Sequence, residues 1–240
     1  MISQVTLGDC MEGMKQYPDK YFDLAVVDPP YGLGNRLSDG GGKLKDTPMA
    51  KLYRGKDWDV LPSKEYFDQL FRVSENQVIF GANYFLEYLP SSRGILCWDK
   101  KQDMPTLSAW EFVWTSFDKP SKIYKQVSTD LNRFHPTQKP VKLYEWIYNK
   151  YLFCKYCNNQ GSYYEDVCGD GGSQMLQSCD CVIGEGRNYR VIDTHLGSGS
   201  NRIAADKAGN IDFYGWEIDK DYYEAQEKRW KDYKSQLTMF

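Results

Sequence analysis

The sequence predicts an α/β fold built on a mostly parallel β-sheet with helices on both faces. Three observations carry this. Residues 24–27, Leu-Ala-Val-Val, form a short, nearly continuous apolar run bounded by turn signals, the pattern of a strand buried on both faces. Strand-like and helix-like segments alternate along most of the 240 residues. Residues 189–219 read as strand, glycine turn, helix and strand, the repeating unit of a parallel sheet.

The elements follow in order. Residues 3–9, 10–17 and 22–28 read strand, helix, strand, and both strands run into an aspartate, Asp9 and Asp28. Residues 33–59 carry three consecutive glycines, many charges and no apolar period, and are expected to form a long charged loop. "KEYFDQLFRV" at 64–73 suits a helix; "NQVIFGANYF", "RGILCWDK" and "EFVWTSF" suit strands. Residues 119–134 are polar and basic. The two prolines of "HPTQKP" at 135–140 exclude regular structure before a helix over 141–153. After a cysteine-rich insertion at 154–188 come strand 189–193, turn 194–200, a helix closed by Gly209, strand 211–219 and a terminal helix from Asp221. In that helix Tyr223, Trp230, Tyr233 and Leu237 mark one expected buried face.

This length suits one domain spanning 1–240, and 41% apolar residues can supply its core. No apolar run approaches the roughly 18–20 residues of a membrane helix, and no basic stretch with a signal core opens the chain. A cytoplasmic protein without membrane contact is expected. The net charge of −3 means that affinity for a polyanion must come from a local patch.

The turn "DTHLGSGS" at 193–200 places glycines between a strand and a helix, where backbone amides can approach a ligand. An acid about 20 positions on can hold ribose hydroxyls, and Glu217 stands there. No Gly-Lys-Ser/Thr follows, and Arg202 occupies the place of a dinucleotide motif's third glycine. A cofactor with a ribose and no phosphate fits better, and S-adenosylmethionine is the common one.

Together, "DPPY" at 28–31, "HPTQKP" at 135–140 and "LGSGS" at 196–200 resemble the DNA amino-methyltransferases, which modify adenine N6 or cytosine N4. The motif order is similar to the circularly permuted β-class arrangement. The resemblance implies a Rossmann-like, S-adenosylmethionine-dependent methyltransferase fold, double-stranded DNA as partner, and a bacterial or phage-like setting. It implies catalytic roles for Asp28, Pro29, Pro30 and Tyr31. It assigns cofactor contacts to Asp9, His135, Thr137, Gln138, Lys139, Asp193, Leu196, Gly197, Ser198, Gly199, Ser200 and Glu217. Thr194-His195 stands where the family often has Pro-Phe, and Ser200 where Thr is frequent. Asp28 leans toward adenine, because cytosine-N4 enzymes more often carry Ser there.

An exocyclic amine is a poor nucleophile because its lone pair is delocalised into the ring. Acceptors at Asp28 and at the Pro29 carbonyl would draw the nitrogen toward tetrahedral geometry, while Tyr31 would stack on a base flipped from the duplex. The methyl group would then move by direct in-line displacement. Carbon methylation of cytosine would need a cysteine nucleophile, and neither Cys10 nor Cys97 follows a proline as that family's nucleophile does.

Arg36, Lys43, Lys45, Lys51, Arg54 and Lys56 follow the catalytic motif. They either order on DNA phosphates as a mobile loop or form a solvated segment balanced by nearby aspartates. Cys154, Cys157, Cys179 and Cys181 are either zinc ligands or unligated cysteines of an insertion. With no separate recognition domain evident, base reading is expected from 33–59, from 101–134, or from a second copy of the chain. The rival readings are N4-cytosine methylation, methylation of RNA or of a protein amide, and a catalytically silent cofactor-binding module.

Overall fold

The computed structural model describes residues 1–33, 58–103, 108–128, 134–135, 137–153 and 187–237, with the backbone of 162–166 and 174–178. The six basic residues between 36 and 56 and the four cysteines of the expected zinc cluster lie outside the described residues.

Ten described strands are β1 (Ser3–Leu7), β2 (Phe22–Val27), β3 (Ser74–Phe80), β4 (Ile95–Asp99), β5 (Trp110–Thr115), β6 (Lys122–Lys125), β7 (Ser162–Asp166), β8 (Gln174–Ser178), β9 (Tyr189–Asp193) and β10 (Ile211–Glu217). The helices are α1 (Cys10–Met14), α2 (Lys64–Val73), α3 (Val141–Ile147), α4 (Ser200–Ala208) and α5 (Lys220–Leu237). Eight strands form one sheet in the order β1-β10-β9-β2-β3-β5-β4-β6, and β7 pairs with β8 alone. Every pair in the large sheet is parallel except those of β5, which runs antiparallel to β3 and β4.

Alternate side chains of the central strands enter two separate cores, as the pleat requires. Leu24, Val26, Val78, Phe80, Val191 and Phe213 pack with α3 and α4 on one face. Phe22, Ala25, Val27, Ile79, Ile192 and Trp216 pack with α1 and α2 on the other. Helices therefore cover both faces, which explains the unbroken apolar run of β2.

Between β2 and β9 the strand order reverses, since the chain leaves β2 toward β3 on one side and β9 toward β10 on the other. At the amino ends Asp23 binds both Arg187 terminal nitrogens (2.8 and 2.9 Å) and accepts from the Arg190 amide (2.7 Å). Direct pairing then covers only Leu24 with Val191 and Ala25 with Ile192. Beyond it the strands part. Asn201 at the start of α4 bridges them, its Nδ2 donating to the Val26 carbonyl (3.1 Å) and to Asp193 Oδ2 (2.9 Å).

Three local expectations are corrected. The polar, basic stretch 119–134 contains an edge strand, β6, paired parallel to β4, and four residues are too short to announce themselves by period. The helix expected over 141–153 is α-helical only to Ile147, and Tyr148–Leu152 form a π-helical turn. Tyr148 there donates its hydroxyl to Asn201 Oδ1. On α5 the buried residues are Tyr222 and Gln226, while Leu237 is 54% exposed. A polar residue holds this face because Gln226 meets Arg202 (3.2 Å), whose guanidinium also covers Trp230.

Gly13 brings α1 close to β10: a Cβ there would lie 2.2 Å from Trp216 Nε1. The indole is buried and cannot swing aside. Gly13→Ala is expected to destabilise the fold by about 1–3 kcal/mol, read as a lower urea midpoint with an unchanged denaturant slope.

Candidate functional site

Four acids stand at or just beyond the carboxyl ends of neighbouring parallel strands: Asp9 after β1, Glu217 ending β10, Asp193 ending β9 and Asp28 after β2. In open parallel sheets ligands bind at this edge, in the crevice where the strand order reverses. A cavity of about 800 Å³ opens there. Its walls include Asp28, Pro29, Pro30 and Tyr31 from one motif, and Leu196, Gly197 and Ser198 from the other.

The turn after β9 is tightly held. Gly197 and Gly199 have φ of +53° and +71°, which side chains other than glycine adopt at a cost. The Gly197 amide donates to Glu217 Oε2 (2.8 Å), and the Asp219 amide donates to Oε1 (2.8 Å). Burial holds Glu217 above the usual carboxylate range, with these amides pulling the other way. A Cβ on Gly197 would meet the His135 ring at 3.1 Å, so the turn and the "HPTQKP" segment touch. His135 in turn packs against Tyr222 (ring centroids 4.3 Å apart) and Trp58 (6.0 Å).

Asp193 lies behind this wall and does not line the cavity. Besides Asn201, it accepts from the His195 amide (3.1 Å). Burial pushes its pKa up to about 7. Gly199 and Ser200 also stand outside the lining; Arg229 on α5 donates to the Ser198 carbonyl and to Ser200 Oγ, each at 2.9 Å, clamping the turn from the rear. Asp9 reaches the cavity while capping α1 through the Met11 amide (2.8 Å). Thr137 and Gln138 line the cavity with His135.

Lys139 sits elsewhere than at the cofactor turn. Its Nζ lies 2.5 Å from Asp28 Oδ2 and 3.1 Å from Glu111 Oε1. Tyr31 donates to Asp28 Oδ1 at 2.5 Å, with Glu111 Oε1 3.0 Å away, and Lys100 holds Glu111 Oε2 at 3.0 Å. Two carboxylates and two ammoniums thus form a neutral buried cluster. Burial raises Asp28 above the ordinary carboxylate range, Lys139 opposing. Burial acts likewise on Glu111, but two ammoniums outweigh it and hold that carboxyl low. For Lys139 burial pulls down, and the flanking carboxylates prevail and hold it high. The Tyr31 ring stacks on Tyr84, with centroids 4.8 Å apart and planes 14° off parallel.

Lys100, Glu111, Trp58, Tyr66, Tyr84 and Tyr222 join the cavity walls without having been marked in the sequence. Glu111 comes from β5 and Lys100 from just past β4, brought beside Asp28 by an antiparallel strand whose register no local motif announces. Cys10 also lines the cavity, but burial, helped by the Asp9 charge, pushes its thiol up to about 12, so it holds its proton at neutral pH.

No protein-family model and no curated protein sequence matches the chain. Among solved structures the PvuII DNA methyltransferase (cytosine-N4-specific) is similar, with a TM-score of 0.55, 13% identity, and coverage of 95% of this chain and 86% of that one. M1.HpyAVI in complex with SAM gives 0.51, 19%, 95% and 100% in the same order. TTHA0409 from Thermus thermophilus, complexed with S-adenosyl-L-methionine, gives 0.52, 14%, 95% and 94%. The fold is that of the S-adenosylmethionine-dependent methyltransferases. Its Rossmann-like sheet matches the architecture expected from the sequence.

His195 accepts or donates through Nδ1 at Thr194 Oγ1 (2.9 Å), and burial lowers its pKa from 6.5 to about 4. The unfolded chain therefore binds the extra proton first as pH falls. The contribution is full above 6.5 and is lost as pH drops through about 4, with a ceiling on the order of 3 kcal/mol. Asp193, raised by burial, acts with opposite sign, contributing below 3.8 and losing that contribution as pH rises through about 7. The two largely offset one another in the native protein. His195→Gln should therefore become less stable as pH rises from 4 to 7, relative to wild type, in chemical denaturation at fixed salt.

Proposed function

We propose that this protein is an S-adenosylmethionine-dependent DNA methyltransferase acting on an exocyclic amine, with adenine N6 preferred. The observation that carries the reading is one cavity lined by both Asp28-Pro29-Pro30-Tyr31 and Leu196-Gly197-Ser198. The methyltransferase structures of the same fold, two of them bound to the cofactor, support it.

The residues present fit S-adenosylmethionine. Gly197, at φ +53° and with a Cβ that would crowd the His135 ring at 3.1 Å, keeps bare backbone at the cavity wall, where a ligand can approach closely. Glu217 is buried with two amides bound, and its remaining acceptor positions suit ribose hydroxyls. Asp9 serves the adenine end, and His135, Thr137 and Gln138 the methionine end. When bound, the cofactor supplies a methyl group on a sulfonium centre.

The chain's own part is to orient and activate the amine. Asp28 accepts one of its N–H bonds and the Pro29 carbonyl the other, because diproline fixes the backbone and Pro30 brings no competing N–H. This draws the nitrogen lone pair out of the ring. The Tyr31–Tyr84 pair offers the aromatic surface for the flipped base. Direct transfer requires no covalent enzyme intermediate, and the protonated Cys10 provides none. The basic residues of 33–59 are assigned to phosphate contacts.

Incubation with duplex DNA and methyl-labelled cofactor, followed by digestion and mass analysis, should yield N6-methyladenine. Asp28→Ala should lower kcat by about 100-fold or more, and Glu217→Ala should weaken cofactor binding by roughly 10-fold. N4-methylcytosine as sole product would reassign the acceptor, and label in RNA alone would reassign the substrate. No label in any nucleic acid would overturn the enzymatic reading in favour of a silent cofactor-binding module.

A further inference from the structure

Asp28 is already engaged on both oxygens, by Tyr31 on Oδ1 and Lys139 on Oδ2, each at 2.5 Å. A carboxylate offers about four acceptor positions, so an incoming amine that approaches along either of these two directions displaces the group that holds it. Lys139 is almost wholly buried, with 3% of its side chain exposed, so a displaced ammonium needs another acceptor at once.

Glu111 is placed to be that acceptor for both groups. One oxygen, Oε1, lies 3.0 Å from the Tyr31 hydroxyl and 3.1 Å from Lys139 Nζ. A hydroxyl carries one proton, and the shorter contact assigns it to Asp28 at rest. The other oxygen is anchored by Lys100 at 3.0 Å, which turns Oε1 toward the pair. Strand pairing of Glu111 with Trp98 on β4 fixes its backbone.

We propose that Glu111 is a positioning residue that receives the Tyr31 hydroxyl and the Lys139 ammonium as the target amine takes their place on Asp28. This rests on the reading of Asp28 as the amine's acceptor. The handover occurs within a cluster of two positive and two negative groups, so no net charge is created in the interior. It also explains why a carboxylate that must meet a neutral amine is stored against a lysine.

The groups facing Asp28 are Tyr31 beside it, Lys139 ahead of α3, Glu111 on β5, Asp193 on β9, and Tyr66 and Tyr144 from α2 and α3, with Lys100 behind Glu111. Burial keeps Tyr66 and Tyr144 protonated. The test uses the full chain without ligand, labelled with carboxyl-13C aspartate, Asp28 being assigned by Asp28→Asn. Glu111→Gln removes a like charge and leaves Lys139 wholly to Asp28, so the Asp28 titration midpoint should fall by about one pH unit. Lys100→Met frees Glu111 to draw Lys139 away, so the midpoint should rise.

In methylation assays Glu111→Gln should lose roughly 10- to 100-fold in kcat, with the KM for cofactor within about twofold of wild type, since Glu217 and the glycine turn are untouched. Midpoints that stay fixed, or move the same way in both variants, would overturn the proposal, as would a wild-type kcat in Glu111→Gln. Opposite midpoint shifts in a chain that methylates no nucleic acid would retire the functional reading while leaving the coupled cluster established.

Discussion

The site depends on two parallel strands that are joined at one end and forced apart at the other. Asp23 ties the amino ends of β2 and β9 through Arg187 and the Arg190 amide, and direct pairing lasts for two residue pairs. Past it, Asn201 fills the gap with one side-chain amide shared between the Val26 carbonyl and Asp193. Without such a bridge the Val26 carbonyl would lose this donor and Asp193 would keep only the His195 amide, and a buried polar group left unsatisfied costs about 1–3 kcal/mol, more when charged. The parting creates the crevice, and the crevice brings Asp28 and the glycine turn to one cavity although 164 residues of chain separate Asp28 from Asp193.

Charge shapes the rest. Acids stand at four successive strand ends; Asp9, Asp28 and Glu217 line the cavity, which suits a cationic ligand, and all but the exposed Asp9 are carboxylates that must be stabilised largely away from water. Each is handled differently. Glu217 takes backbone amides, Asp193 takes Asn201 and an amide, Asp9 caps a helix, and Asp28 alone takes a buried ammonium. Of these four, the acid held by a buried ammonium is the one assigned to meet the substrate.

Much of this architecture was legible in local sequence. The apolar run before Asp28, the diproline after it and the glycines after Asp193 are signals carried within a few residues, and each lies where expected. The placement of β2 beside β9 then brings both motifs to one sheet edge. What was illegible depends on long-range register. The pairing of the Lys139 ammonium with Asp28 has no local signal in "HPTQKP"; Glu111 and Lys100 reach the same point because β5 enters the sheet antiparallel between β3 and β4. Gln226 escaped notice because an apolar count on a helix face ignores a buried amide that pairs with Arg202.

The central claim is that the acceptor carboxylate and the cofactor turn serve one ligand-filled space. It is tested most directly by nuclear Overhauser contacts from S-adenosyl-L-[methyl-13C]methionine bound to the full chain. Contacts from the labelled methyl group to the Tyr31 ring and the Lys139 side chain are predicted, and both should persist when Asp28 is replaced by Asn. A bound cofactor whose methyl group contacts neither residue would contradict the account.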